Sequence, residues 1–260
     1  MGGLVSDVWQ AAEECSIVFA MRQNPARLLV QAVMLLTSRV TVYGREHIPS
    51  NGGFIIASNH LGRLDAPLVY YLFEREDVTL MVAEKYQANW LFRWGVKQVN
   101  AMWVDRFNAD MAAMRQAMQR LKAGGVLVMA PEGTRSPTQA LIAGRPGASY
   151  LAAKTGLPVL PVALTGTEDR AVVRNLKRLR RASVVLRAGP VFVLPPLTRN
   201  DREAQLQKGT DEIMCRIAAL LPESYRGIYA RHPRLQELLA QTLTPNEQPA
   251  TALSAPQPGR

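Results

Sequence analysis

Strand and helix patterns alternate along this chain, which predicts an α/β protein: a mixed, largely parallel sheet flanked by helices, with an N-terminal helical pair. Three observations carry that expectation. Short β-rich runs between Val40 and Leu194 alternate with longer segments of helical period. Turn clusters separate them, as at Pro49-Ser50-Asn51-Gly52-Gly53 and Gly124-Gly125. One run, Val126–Ala130, is apolar throughout and reads as a buried strand.

Residues 4–21 read as an amphipathic helix, with Leu4, Val8, Ala11, Cys15 and Val18 along one face. Pro25 opens a second helix, Ala26 to about Ser38, apolar on most sides; it either packs in a core or dips into a bilayer interface. Val40–Tyr43 and Gly53–Ser58 then predict strands, and an apolar helix follows Pro67. A strand at Val78–Ala83, a short helix near Asn89–Val96 and a strand at Ala101–Asp105 come next. Ala109–Ala123 reads as a helix whose Met111, Met114, Met118 and Leu121 form a stripe, assigned to the core. Beyond Val126–Ala130, a helix includes Tyr150–Lys154, strands are expected at Pro158–Leu164, Val184–Arg187 and Val191–Leu194, and Arg202–Leu220 is a final long helix. From Thr242 on, four prolines without periodicity read as a disordered tail. The expected division is an N-terminal membrane-associating segment 1–39, an α/β domain 40–241 and a tail 242–260.

With 260 residues, 48% of them hydrophobic and 20% charged, the chain belongs with folded globular proteins and can bury a sizeable core. Two isolated cysteines, Cys15 and Cys215, argue against a disulfide scaffold and a cysteine zinc site and fit a reducing compartment. The first 21 residues hold no Lys or Arg and do not read as a secretory signal, and no apolar run is long enough for a conventional span. Met1–Ser6 formally fits the N-myristoylation pattern, a short one. The net charge of +10 favours anionic partners without choosing among nucleic acid, acidic lipid, phosphorylated substrate and acidic carrier protein.

Three strand ends concentrate chemistry, where ligands of such sheets usually bind. Ser58-Asn59-His60-Leu61-Gly62-Arg63-Leu64-Asp65 follows a buried strand. On one continuous helix His60 and Asp65 would point about 140° apart, so their contact requires a turn, which Gly62 permits. Asp65 could then hold one imidazole nitrogen and leave the other free as a base. A bland alternative stands beside this: Asp65 before Ala66-Pro67 is a good helix cap, and a lone histidine is usually structural. Trp103-Val104-Asp105-Arg106 puts an arginine beyond a second strand. Pro131-Glu132-Gly133-Thr134-Arg135-Ser136, beyond a third, offers a glycine, two hydroxyls and a guanidinium suited to a phosphate, or simply a turn with a solvated arginine.

Asn59-His60 with Asp65, Val104-Asp105-Arg106, Pro131–Ser136 and Leu157-Pro158-Val159-Leu160-Pro161-Val162 resemble, in order, the four motifs of the glycerolipid acyltransferases over roughly residues 40–195. The resemblance is nearest to the bacterial 1-acyl-sn-glycerol-3-phosphate acyltransferases, and implies a glycerol-3-phosphate acyltransferase-like fold. It implies that His60 deprotonates an acceptor hydroxyl that attacks an acyl thioester, while Asp65 supports the imidazolium. Arg106, Glu132, Gly133 and Arg135 would bind the acceptor phosphate with Thr134 nearby, Lys85 would match a lysine between the first two motifs, and Pro161 would shape the acyl wall. No metal and no cofactor beyond the acyl-CoA or acyl carrier protein co-substrate is implied. The chain departs from the pattern at Gly62, commonly Ser, at Arg63, commonly aromatic, and at Asn100, usually Gly. Arg63 could contact phosphate or face solvent.

The run from Arg170 to Arg187 carries seven basic residues and no acid. It is a solvated face, a contact for anionic headgroups at about 1 kcal/mol per nearby charge, or a receiver for acidic acyl carrier protein. Nucleic acid is not expected, because no aromatic interleaves the run. The expected activity is acylation of 1-acyl-glycerol-3-phosphate to phosphatidic acid by a peripheral or monotopic enzyme on the cytoplasmic face of the cell membrane. Its rivals are another lysophospholipid or a lipid amino acid as acceptor and, more remotely, a basic nucleic-acid-binding domain with a structural His60 and Asp65.

Overall fold

The computed structural model describes residues 25–243 apart from 74, 76, 99 and 106–109. The expected helix at 4–21 and the myristoylation pattern lie outside the described residues. Helix α1 (Pro25–Thr37) runs into β1 (Ser38–Tyr43), and β2 (Phe54–Ser58) leads to α2 (Asp65–Leu72). There follow β3 (Val78–Ala83), α3 (Trp90–Gln98), β4 (Met102–Val104), α4 (Met111–Lys122) and β5 (Val126–Met129). The chain continues through α5 (Gly147–Thr155), β6 (Val159–Thr165), α6 (Asp169–Lys177), β7 (Ala182–Ala188), α7 (Arg202–Leu220) and α8 (Pro233–Leu243).

The seven strands form one sheet in the order β1-β7-β6-β2-β5-β3-β4. Among the pairings of these strands in the described residues, β6–β7 alone is antiparallel, so β1 and β7 oppose the other five and the sheet is mixed but mostly parallel, as expected. Strand side chains alternate between faces. Ile55, Leu127, Val159 and Ala163 meet the buried faces of α4, α5 and α7. Phe54, Ile56, Leu160, Val162, Leu164, Val184 and Leu186 meet Met34 of α1, Leu68 and Val69 of α2 and Val172 of α6. All five residues of β2 are buried, which explains its unbroken apolar run.

Several expectations need correction. Val191–Leu194 is not a strand: Phe192 makes a single bridge to Val159, donating to it at 3.1 Å and accepting from it at 2.8 Å. Pro190, Pro195 and Pro196 lack the N–H groups that a longer ladder would need. α7 is not the last helix, since α8 follows and continues two residues past the boundary expected at 241. α6 escaped notice because arginines crowd its only buried side chain, Val172. The methionine stripe is core in part: Leu121 is buried and Met114 and Met118 pack against the same core cluster as Ala113 and Ala117, while Met111 and Met114 also line a cavity.

Candidate active site

Asn59 follows β2 directly and is clamped to β6, its side chain accepting the Leu164 N–H at 2.7 Å and donating to the Leu164 carbonyl at 2.9 Å. This fixes the stalk on which His60 stands. Its backbone N–H donates to Glu132 at 2.9 Å, and its carbonyl accepts the Ser136 N–H at 2.8 Å. The strand ends of β2 and β5 are thereby stitched together.

The chain turns after His60 and brings Asp65 back to it. Asp65 Oδ2 lies 2.7 Å from His60 Nδ1 and accepts the N–H groups of Leu61 at 2.7 Å and Gly62 at 2.8 Å. The carboxylate is therefore not spent on capping α2, the bland role its position suggested. Loaded with backbone donors, it acts as acceptor for Nδ1–H and leaves the Nε2 lone pair for a proton. The histidine side chain is 24% exposed and the aspartate 4%. Asp65 Oδ1 is buried and makes no hydrogen bond among the described residues. Its first position in α2 also sets its charge against the positive end of that helix.

The turn is as tight as glycine allows. A Cβ on Gly62 would stand 1.9 Å from the Thr167 carbonyl oxygen, so the β6–α6 loop packs directly on it. Asp169, the first residue of α6, completes the contact: Oδ1 accepts the Arg63 N–H at 2.8 Å and Oδ2 accepts Arg135 at 2.6 Å. The Arg63 side chain is exposed, with Nε 3.8 Å from Asp169.

His60 opens on a cavity of about 700 Å³, whose walls include Met81, Met111, Met114 and Met129 and whose polar lining includes Arg145 and Arg202. Gly133, at φ 68°, lines it in a left-handed conformation that glycine takes readily. The Arg145 side chain lies across Gly133, where a Cβ would meet its Cδ at 2.9 Å. Arg202 packs over the Tyr150 ring at 5.5 Å. Asp110, also in the lining, caps α4 by accepting the Ala113 N–H at 2.8 Å.

The other expected site residues are placed unequally. Glu132 does not face a phosphate: it is 1% exposed, and its two oxygens accept the His60 and Ile142 N–H groups at 2.9 and 3.1 Å. Burial pushes its carboxyl up to about 7 against those hydrogen bonds. Thr134 is exposed, and Arg135 is held beside Asp169 rather than in the cavity lining. Lys85 lies exposed with Nζ 5.2 Å from the Tyr86 ring centre, away from the lining among the described residues. Pro161 is buried on β6, where its carbonyl accepts the Gly189 N–H at 2.9 Å, and it does not line this cavity. Arg106 falls outside the described residues. Sequence reading missed Asp169, Arg145 and Arg202. Arg145-Pro146-Gly147 at a helix start was the available signal for the second, and only the contact geometry reveals the first.

A model of the family described as Acyltransferase matches residues 39–165. A 1-acyl-sn-glycerol-3-phosphate acyltransferase of Cocos nucifera is 28% identical over 202 residues, 76% of this chain and 62% of that protein. One from Bacillus subtilis is 27% identical over 138 residues, 53% of this chain and 68% of that protein. The chain thus spans under two thirds of the coconut relative's length. In structure, it superposes on the 1-acyl-sn-glycerophosphate (LPA) acyltransferase PlsC of Thermotoga maritima with TM-score 0.54 and 23% identity, covering 79% of this chain and 88% of that one. That superposition shows a shared fold. Residues 39–165, which match that Acyltransferase model, contain both the His60–Asp65 pair and the Glu132–Arg135 loop.

Proposed function

We propose that the protein transfers a fatty acyl group from acyl-CoA or acyl carrier protein to the free hydroxyl of 1-acyl-glycerol-3-phosphate, giving phosphatidic acid for phospholipid synthesis. One observation carries this reading: a histidine oriented by a buried carboxylate at 2.7 Å borders a cavity whose walls include four methionines and two arginines. His60 Nε2 takes the proton of the acceptor hydroxyl as its oxygen forms a bond to the thioester carbonyl carbon. The tetrahedral intermediate collapses by breaking the C–S bond, and the departing thiolate receives the proton from the imidazolium. Asp65 stabilises that imidazolium between the two steps. Methionines suit a flexible acyl chain because they repack around irregular shapes. Arg135 and Arg106, by resemblance, and Arg145 and Arg202, by position, supply charge for the acceptor phosphate.

The substrates are lipids, and the reading includes peripheral attachment to the cytoplasmic face of the cell membrane. No helix of the described residues is long and apolar enough to cross a membrane, and α1 exposes Leu28, Leu29, Val33, Leu35 and Leu36.

The test is free-thiol release and phosphatidic acid formation by purified protein with lysophosphatidic acid and a long-chain acyl-CoA. His60→Ala should abolish both while keeping the wild-type melting temperature and circular dichroism. Full turnover by that folded variant would overturn the mechanism. Turnover of a different lysophospholipid alone would move the acceptor, which the unusual Gly62-Arg63 pair in the catalytic turn makes worth assaying in parallel.

A further inference from the structure

We infer that α6 and the turn after it form a second membrane-docking surface, with Leu179 entering an anionic lipid leaflet and the surrounding arginines resting on headgroup phosphates. This deepens the lipid-enzyme reading above and rests on it for the identity of the surface that is met.

Leu179 is 97% exposed and sits at φ 54°, a left-handed conformation open to glycine and tolerated by asparagine and aspartate but disfavoured for leucine. The turn is not loose. Leu179 N–H donates to Leu176 at 2.9 Å, and Arg180 N–H donates to Asn175 at 2.9 Å, closing the end of α6 in the way a glycine usually does. A bulky apolar side chain is thus held outward at a position where glycine would be easier. Arg178, Arg180 and Arg181 flank it, and Arg174 and Lys177 precede it, all exposed. Val173 and Leu176 add apolar surface between those charges. An apolar tip within a cationic ring matches the interface of an anionic bilayer, where leucine enters the acyl region and arginines reach back to phosphates.

Two placements favour a lipid plane over a carrier protein. Val172 of α6 and Met34 of α1 belong to one core cluster, so both helices cover the same face of the sheet, over the adjacent strands β7 and β1. The exposed leucines of α1 therefore share that side of the molecule with Leu179. In addition, α6 starts at Asp169, which holds Arg63 and Arg135 beside the catalytic turn. α6, nine residues and about 14 Å long, thus links the catalytic turn to the tip that meets the leaflet.

Cosedimentation of the full chain with vesicles of phosphatidylcholine alone, or mixed equally with phosphatidylglycerol, tests this. Leu179→Asp should weaken binding to mixed vesicles about tenfold or more, the scale of one leucine lost from an apolar phase. Leu179→Gly relieves the backbone, so the fold is at least as stable, and it should also bind more weakly. Joint replacement of Arg178, Arg180 and Arg181 by Gln should erase the preference for anionic vesicles. Unchanged vesicle binding by Leu179→Gly overturns the proposal. Loss of turnover with acyl carrier protein donors alone, at unchanged vesicle binding, would assign the surface to the carrier and overturn it as well. Leu179-dependent binding by a protein without acyl transfer would leave the surface standing and sink the proposed reaction instead.

Discussion

The Asp169 carboxylate joins Arg135, at 2.6 Å, to the backbone of Arg63, at 2.8 Å, so one side chain at the start of α6 fastens two loops beside His60. The ion pair is partly exposed and contributes under about 1 kcal/mol to stability. Its value lies in position. Asp169→Ala should raise the KM for the phosphate-bearing acceptor about tenfold with a smaller change in kcat, because it releases Arg135 and loosens the turn. Asp169→Asn, which still accepts the Arg63 N–H, should lose less. Equal KM values for wild type and both variants would remove Asp169 from any positioning role.

Asp65 serves two masters, the imidazole and two backbone N–H groups, and its substitution should show both. Asp65→Asn should lower kcat about a hundredfold or more, since an amide neither fixes the tautomer nor stabilises the imidazolium. Asp65→Ala should also destabilise the fold by about 2 kcal/mol, because the buried N–H groups of Leu61 and Gly62 lose their acceptor. Urea unfolding beside single-turnover kinetics separates these effects.

Much of this arrangement is legible in the chain. β2 and β5 announce themselves as apolar β-branched runs, and the His60/Asp65 spacing demands the turn that Gly62 makes. Asn100 takes φ 49°, a left-handed geometry asparagine tolerates. What the chain hides is tertiary. Glu132 reads as a phosphate ligand until the fold shows both its oxygens filled by backbone N–H groups from distant segments. The Met111, Met114, Met118 and Leu121 stripe has the helical spacing of a core face and packs as one from Met114 onward, but its first two thioethers also wall a cavity that only the fold encloses. Asp169 lies 34 residues from Arg135 and carries no local signal at all.

Gly62 should resist even the smallest side chain. With the Thr167 carbonyl oxygen 1.9 Å from where a Cβ would sit, alanine forces backbone to move in the β6–α6 loop. Gly62→Ala should destabilise by about 3 kcal/mol and reduce turnover by disturbing the His60–Asp65 turn. A melting temperature within error of wild type would show that this loop yields freely.

The methionine wall should set which acyl chains fit. Met114→Trp adds bulk inside the 700 Å³ cavity without adding charge. Competitive turnover over a ladder of acyl-CoA lengths should shift toward shorter chains, while the shortest donors keep near-wild-type rates. An unshifted profile would place the acyl chain elsewhere.

Glu132 gives the pH dependence its sign. Its folded carboxyl titrates near 7 against 4.5 in the ordinary state, driven by burial. Between those values the native protein holds a proton that the unfolded chain has released. Stability therefore falls as pH rises through that window, by about 3 kcal/mol in total, and levels off above it. Glu132→Gln removes the titration; it bears a constant loss, since its amide nitrogen cannot accept one of the two N–H groups, but it should lack this slope. Unfolding free energies at a series of pH values should thus show wild type losing ground to the variant as pH climbs. Parallel curves would mean that the two hydrogen bonds from His60 and Ile142 hold the carboxylate ionised despite its burial.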